Sequence, residues 1–331
     1  MDYKLPSMKG KKALITGGLG FIGSNLAHKL VGLDAEITIL DSMAEGTGFN
    51  ARNIADINGK VRFIKGDIRD ATTTDSAVRG ADYIFHLAAR SSHILSMKNP
   101  HADMETNLAG TVNILESCRK HNRQAKIVFS GTRTEIGKPK YNPVDEKHPE
   151  NPSDVYGINK LAAEKYLFLY NKTYGIPATS LRLTNTYGPR HQMKTGDWGV
   201  VNWFIRKILA GETIHIYGDG SQIRDYNYVD DVCDALILAA QSEKSNGEMF
   251  LLGTGSGMKF IDMVKTLIKV AGTGNYQLVE FPNDRKAIDI KKYVADIGKI
   301  KHALGWTPST DFESGVRKTV EFYRKELRNY M

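Results

Sequence analysis

The stretch Thr16-Gly17-Gly18-Leu19-Gly20-Phe21-Ile22-Gly23 constrains this chain more than any other. It follows the apolar β-type run Ala13-Leu14-Ile15-Thr16 and opens a helical pattern over residues 24–31. Gly17 permits a tight turn, Gly20 lets a pyrophosphate approach the backbone, and Gly23 allows close helix packing. Free amides at the helix start then face the phosphates, and Phe21 and Ile22 belong to the same expected cofactor site. The next β-type run, Glu36-Ile37-Thr38-Ile39-Leu40, ends in Asp41, eighteen residues after Gly23. A carboxylate at that distance accepts from both ribose hydroxyls and repels a 2′-phosphate, so NAD is expected rather than NADP. Gly66-Asp67-Ile68 closes a third run. Asp67 there is either an adenine contact or a plain turn aspartate, with Ile68 beside it in the cofactor site.

Further β-type runs follow at Val61-Arg62-Phe63-Ile64, Tyr83-Ile84-Phe85-His86-Leu87, Ile127-Val128-Phe129 and Ala178-Thr179-Ser180-Leu181-Arg182. Helical patterns separate most of them, for example over 107–121 and 153–174. Strands joined by helical crossovers predict an α/β, Rossmann-type doubly wound parallel sheet. Past residue 185 the character changes, with loop-like stretches such as Lys194-Thr195-Gly196-Asp197-Trp198-Gly199. The expected division is an NAD-binding domain over 1–185, rejoined by 228–253, and a smaller mixed α/β lobe over 186–227 and 254–331.

Composition narrows the partners. With 331 residues, 41% hydrophobic and 25% charged, the chain can bury a sizeable core. Its net charge of +8 suits a phosphorylated ligand, but the basic residues are scattered, which argues against nucleic acid. No apolar run reaches the ~18 residues of a membrane helix, and the N-terminus has no signal-type apolar core. Cys118 and Cys233 sit in apolar surroundings and are expected as buried free thiols in a reducing, cytoplasmic setting. The nine histidines show no metal-ligand spacing, so no metal is expected. His86 reads as a satisfied core residue, Trp198 and Trp203 as packing of the second lobe, and His93, near the cleft, as more structural than substrate-binding.

Tyr156-Gly157-Ile158-Asn159-Lys160 puts a phenol and an ammonium four residues apart, on one face of a helix. A nearby cation favours the phenolate and is expected to lower a pKa that is ordinarily ~10. Upstream, Ser130-Gly131-Thr132-Arg133-Thr134-Glu135-Ile136-Gly137 crowds hydroxyls and charges at the end of an apolar strand.

With these residues the sequence resembles the extended short-chain dehydrogenase/reductase family, in its nucleotide-sugar epimerase and dehydratase branch. The resemblance spans essentially the whole chain and rests on "TGGLGFIGSN", "GDIRD", "HLAA", "YGINKLAAE", "LRLTNTYGPR", "GDGSQIRDYNYVDD" and "LGWTP". It implies a tightly held NAD, Tyr156 as the base on a sugar hydroxyl, and Lys160 on the nicotinamide ribose. Thr132 falls at the catalytic Ser/Thr position, and Ser130 lies at the strand end near the nicotinamide. Leu87, Ala88 and Ala89 line the cofactor cleft. For a nucleotide-diphosphate sugar, Asn185, Arg224 and Arg285 resemble diphosphate contacts, with Arg190 a further candidate or else a structural ion pair. Arg285 is one residue farther from Asp296 than in 4-epimerases, and Tyr293 resembles the position that limits the sugar's C2 substituent. A homodimer is implied, built on the helices around 107–121 and 153–174.

The two residues after Thr132 discriminate between reactions. Sugar 4,6-dehydratases carry Thr-Asp-Glu, and decarboxylating relatives keep a Glu two positions after the Thr. Here those positions hold Arg133 and Thr134, and a guanidinium with a pKa above ~12 is no proton donor at neutral pH. Glu135 comes one position late; in an extended segment that displacement turns it to the opposite face. The expectation is a 4-epimerase acting on a UDP-hexose. A 4,6-dehydratase, a keto-sugar reductase or sugar oxidase, and a non-catalytic NAD sensor are the alternatives.

Overall fold

The computed structural model describes residues 3–196, 199–281 and 290–331. Six strands lead the chain: β1 Lys12–Thr16, β2 Glu36–Asp41, β3 Val61–Lys65, β4 Tyr83–His86, β5 Lys126–Thr132 and β6 Ala178–Leu183. Short strands follow as β7 Asn185–Tyr187, β8 Ile214–Tyr217, β9 Ile223–Arg224, β10 Tyr226–Tyr228 and β11 Met249–Leu252. Helices between them are α1 Phe21–Gly32, α2 Ala71–Ala77, α3 His93–Lys98, α4 Pro100–Met104 and α5 Gly110–His121. They continue as α6 Val155–Tyr174, α7 Val200–Leu209, α8 Val229–Gln241 and α9 Phe260–Ala271.

Seven strands form one sheet in the order β11-β6-β5-β4-β1-β2-β3, every neighbouring pair parallel. The order reverses between β1 and β4, and ligands of such sheets bind at that point, outside the carboxyl ends of the strands. Period-two alternation sends Ala13, Ile15 and Phe85 into one core with α1 and α8. Leu14, Ile84 and Ile127 face the other way, into a core with α5 and α6. β11 pairs with β6, so the 228–253 segment adds a helix and a strand to this sheet.

A separate apolar cluster gathers Phe204, Ile205, Ile216, Met263, Leu267, Val316 and Tyr323 from residues beyond β7. Trp203 packs against it beneath the Arg206 guanidinium, 4.6 Å from the ring centre. Trp198 lies outside the described residues.

Element boundaries differ from the sequence expectation in two places that matter. α1 begins at Phe21, inside the glycine motif, so its amides start closer to the cleft. The helix expected over 107–121 begins as a π-helical turn at Glu105–Ala109 before α5.

Candidate functional site

β1 runs directly into the glycine loop. Gly17 has φ +73°, and a Cβ there would sit 2.8 Å from the backbone of Ala88. A Cβ at Gly23 would sit 2.3 Å from the Gly17 carbonyl oxygen. Both positions are therefore closed to any side chain. Gly20 is the N-cap of α1 and offers no side-chain cap, so the first amides of the helix are left for a ligand. Asp41 ends β2 with both oxygens fixed: the Leu19 N–H donates to one at 3.0 Å and the Met43 N–H to the other at 2.9 Å. Burial raises its pKa.

A cleft of about 340 Å³ runs along the carboxyl ends of β1 to β6, the size and position of a cofactor or substrate site. Gly17, Gly20, Phe21, Ile22, Gly23, Asp41, Asp67 and Ile68 line it on the side of the glycine loop. Leu87, Ala88, Ala89, Ser130, Thr132, Tyr156 and Asn185 line the remainder. Asp67 pairs with Arg69, whose Nη2 lies 2.8 Å from its carboxylate.

Tyr156 stands in the first turn of α6, and several contacts set its position. Asp154 caps the helix by accepting from the Gly157 N–H at 2.7 Å. The other Asp154 oxygen lies 2.6 Å from Nδ1 of His93, whose ring meets Tyr156 edge-on at 5.5 Å between centroids. The Tyr156 N–H donates to Ser96 Oγ at 3.2 Å. Thus α3 braces the helix start from the side. His93 also lines the cleft, near which the sequence reading placed it as a structural residue.

The Lys160 ammonium lies 3.8 Å from the centre of the Phe129 ring, one helical turn beyond the phenol. Burial pushes its pKa down to about 8, against the pull of Glu135 and Glu164. Burial also raises the Tyr156 phenol, while its hydrogen bond with Thr132 works the other way. This corrects the expectation of a phenol lowered by the neighbouring cation: in the protein alone desolvation dominates, and the opposing effect comes from Thr132.

Glu135 does not reach the cleft. The segment after Thr132 is not extended; Arg133–Glu135 form a 3₁₀ turn in which Thr132 and Glu135 make a reciprocal capping box. Glu135 accepts the Thr132 N–H at 2.8 Å and turns its other oxygen to Arg182. Arg182 also holds Glu164 and Glu150. The turn, not strand alternation, takes Glu135 inward and leaves Arg133 and Thr134 on the cleft wall.

The remaining substrate candidates divide. Asn185 faces the cleft and donates through Nδ2 to the Asp225 carbonyl at 3.1 Å. Arg190 has φ +67°; its Nη1 donates to Asn25 at 3.0 Å and its guanidinium lies 5.5 Å from the Phe322 ring centre. Those contacts join α1 to the segment around Phe322 through Arg190, which is not among the cleft-lining residues. Arg224 sits on β9 with Nη1 donating to the Ile223 carbonyl at 3.0 Å, and it is not among the residues that line the cleft. Tyr293 is fully buried, with the Arg133 guanidinium 5.7 Å from its ring centre. Arg285 lies outside the described residues.

Sequence reasoning missed His191 and Gln192, which follow Arg190 and also line the cleft. The left-handed backbone at Arg190 reverses the chain there, and a non-glycine residue gives no local signal of it. His86 is as expected: Thr16 Oγ1 lies 2.8 Å from Nδ1 and Thr111 Oγ1 3.0 Å from Nε2. Among the described residues no group of three or more His, Cys, Asp or Glu side chains could hold a metal. None of the described helices is long and apolar enough to cross a membrane.

Known proteins share this architecture. The family model described as GDP-mannose 4,6 dehydratase matches residues 14–319. A putative UDP-glucose 4-epimerase of Methanocaldococcus jannaschii is 36% identical, over 95% of this chain and 99% of that protein. The crystal structure of UDP-glucose 4-epimerase from Thermotoga maritima with UDP-glucose superposes with a TM-score of 0.86 and 34% identity, covering 96% of this chain and 99% of that one. UDP-glucose 4-epimerase of Thermus thermophilus in complex with NAD gives a TM-score of 0.83 and 33% identity, covering 95% and 99%. The chain belongs to the GDP-mannose 4,6-dehydratase-like family of extended short-chain dehydrogenases/reductases.

Proposed function

We propose that this protein is an NAD-dependent nucleotide-sugar 4-epimerase acting on a UDP-hexose. One observation carries the choice: Thr132 and Tyr156 share a cleft wall on which the two positions after Thr132 hold Arg133 and Thr134, while Glu135 is locked to Arg182. A base and a hydroxyl partner are present, and the carboxylate pair that elimination requires is not. The similar UDP-glucose 4-epimerases of M. jannaschii and T. maritima support the same reading.

NAD fits the loop as built, since the closed approach at Gly17 and Gly23 and the uncapped start of α1 form a phosphate cradle. When bound, it supplies a reversible hydride acceptor. Asp41 would hold the adenosine ribose, and Lys160 the nicotinamide ribose. Tyr156 takes the proton from the C4 hydroxyl and gives it back once the sugar has presented its other face. Thr132 hydrogen-bonds the same oxygen and keeps the phenol oriented toward it. Asn185, on the cleft wall, would serve the diphosphate.

The same reading divides the chain into a cofactor domain of 1–185 with 228–253 and a sugar-nucleotide lobe of 186–227 and 254–331. A homodimer through α6 is supported by Ile158, Tyr166 and Leu169, which are exposed on that helix although apolar. Buried free thiols at Cys118 and Cys233 suit a cytoplasmic location.

The test is to incubate the purified protein with a panel of nucleotide sugars and follow products by NMR. Inversion at C4 without external NAD supports the proposal. A 4-keto-6-deoxy product would establish dehydration instead, and stoichiometric consumption of added NAD would establish net redox.

A further inference from the structure

Arg133 is the cleft residue that proton transfer at C4 leaves without a task. It directly follows Thr132 and lines the cleft, with its guanidinium packed 5.7 Å from the ring centre of Tyr293. Among the described residues no carboxylate is paired with it; that of Asp154, which acts on it from farther off, is engaged by His93 and the Gly157 N–H. Its strongest charged neighbour is another cation: burial and then Arg224 disfavour the charged form. The hydroxyls of Tyr226 and Tyr293, which feel both or one of these guanidiniums, are buried without hydrogen-bond partners among the described residues. A half-desolvated cation with no carboxylate paired to it among the described residues is costly until an anion joins it.

The position of that anion follows from the reading of Tyr156 and Thr132 as the groups at C4, on which this inference rests. In a nucleotide hexose the diphosphate is on C1, across the ring from C4. The substituent carbon C6 is attached to C5, next to C4, so it lies nearer than the diphosphate to a residue adjoining Thr132. We propose that, within the nucleotide-hexose class of that reading, Arg133 selects the sugar oxidised at C6, a nucleotide-diphosphate hexuronic acid, by pairing its guanidinium with the C6 carboxylate. The planar fork of arginine matches a carboxylate in two parallel hydrogen bonds, which a hexose hydroxymethyl group cannot reproduce.

The test uses full-length protein with its NAD, carrying Tyr156→Phe to block turnover, titrated calorimetrically with UDP-glucuronate, UDP-glucose and UDP. The uronate is expected to bind about 10- to 100-fold tighter than the hexose, the range for a charge-assisted pair. Adding Arg133→Met, which keeps bulk over Tyr293, should collapse that ratio to near one. Equal affinity for the two sugars before the change overturns the proposal. So does an equal loss for uronate, hexose and UDP after it, because the guanidinium would then serve the diphosphate. If Arg133→Met does not fold, Arg133→Lys keeps the charge without the fork and should reduce the ratio severalfold; an unchanged ratio counts against the pairing. The protein with Tyr156 intact is assayed in parallel. Selective binding of the uronate with no C4 inversion would remove the 4-epimerase reading while leaving Arg133 as the carboxylate contact.

Discussion

The Glu135 carboxylate lies 2.7 Å from Nε of Arg182, and neither side chain is exposed. That pairing removes from the cleft the only carboxylate within three residues after Thr132. It also predicts a separation of stability from chemistry. Burial and the like charge of Glu164 raise the Glu135 pKa well above the carboxylate range, yet Arg182 and the Thr132 N–H hold it in place. Glu135→Ala leaves that amide and part of the guanidinium unsatisfied, which we expect to destabilise the fold by about 2–4 kcal/mol. Urea denaturation measures the loss. The reaction product of the folded fraction should keep its identity; if removing Glu135 converted an eliminating enzyme into a non-eliminating one, the structural assignment would be wrong.

Tyr156→Phe preserves the ring against His93 and the backbone bond to Ser96, so its cost should fall on turnover alone. Loss of a positioned acid/base group predicts a drop of about 10²–10⁴ in kcat. Cofactor content, read by absorbance after denaturation, should be unchanged. A variant that turns over at the parent rate would move the catalytic role to another group.

The features legible in the sequence are local ones. The glycine loop, Asp41 and the Tyr156–Lys160 spacing depend on turn chemistry and on one helical face, so a short window carries them. The 3₁₀ turn also had a short window, although the segment was expected to be extended: Thr132-x-x-Glu135 is the S/T-x-x-E pattern of a capping box, and it decides where Glu135 points. Other parts of the site have no such window. Arg182 reaches Glu135 and Glu164 from β6, and His93 braces Asp154 from 61 residues upstream. Arg190 is drawn away from the cleft by Asn25 and Phe322, residues distant on either side in the chain. Only packing brings these partners together.

Gly23→Ala adds one methyl group 2.3 Å from the Gly17 carbonyl oxygen and 2.8 Å from the Gly18 Cα, both backbone atoms that no side-chain rotation can clear. The loop and the start of α1 must therefore separate, and with them the amides that face the phosphates. We predict purified Gly23→Ala with little bound NAD and an affinity for added NAD at least about tenfold weaker, consistent with overpacking costs of about 1–3 kcal/mol. Full NAD occupancy in this variant would mean the loop is not the phosphate cradle.

His86 links stability to pH. It is buried neutral between Thr16 and Thr111, and desolvation, with Lys160 adding to it, pushes its pKa down to about 3 from the ordinary 6.5. With the folded value below the unfolded one, the contribution is full above about pH 6.5. It is lost as pH falls toward 3, because the unfolded chain takes up a proton that the folded one refuses. The slope from this single group approaches about 1.4 kcal/mol per pH unit below about pH 6. His86→Gln can still hydrogen-bond the threonines but cannot titrate, so it should lower stability at about pH 7.5 yet lose less on going to about pH 5. Urea midpoints of both proteins at the two pH values give the comparison, and parallel losses would show that His86 is protonated in the folded protein as readily as in the unfolded chain.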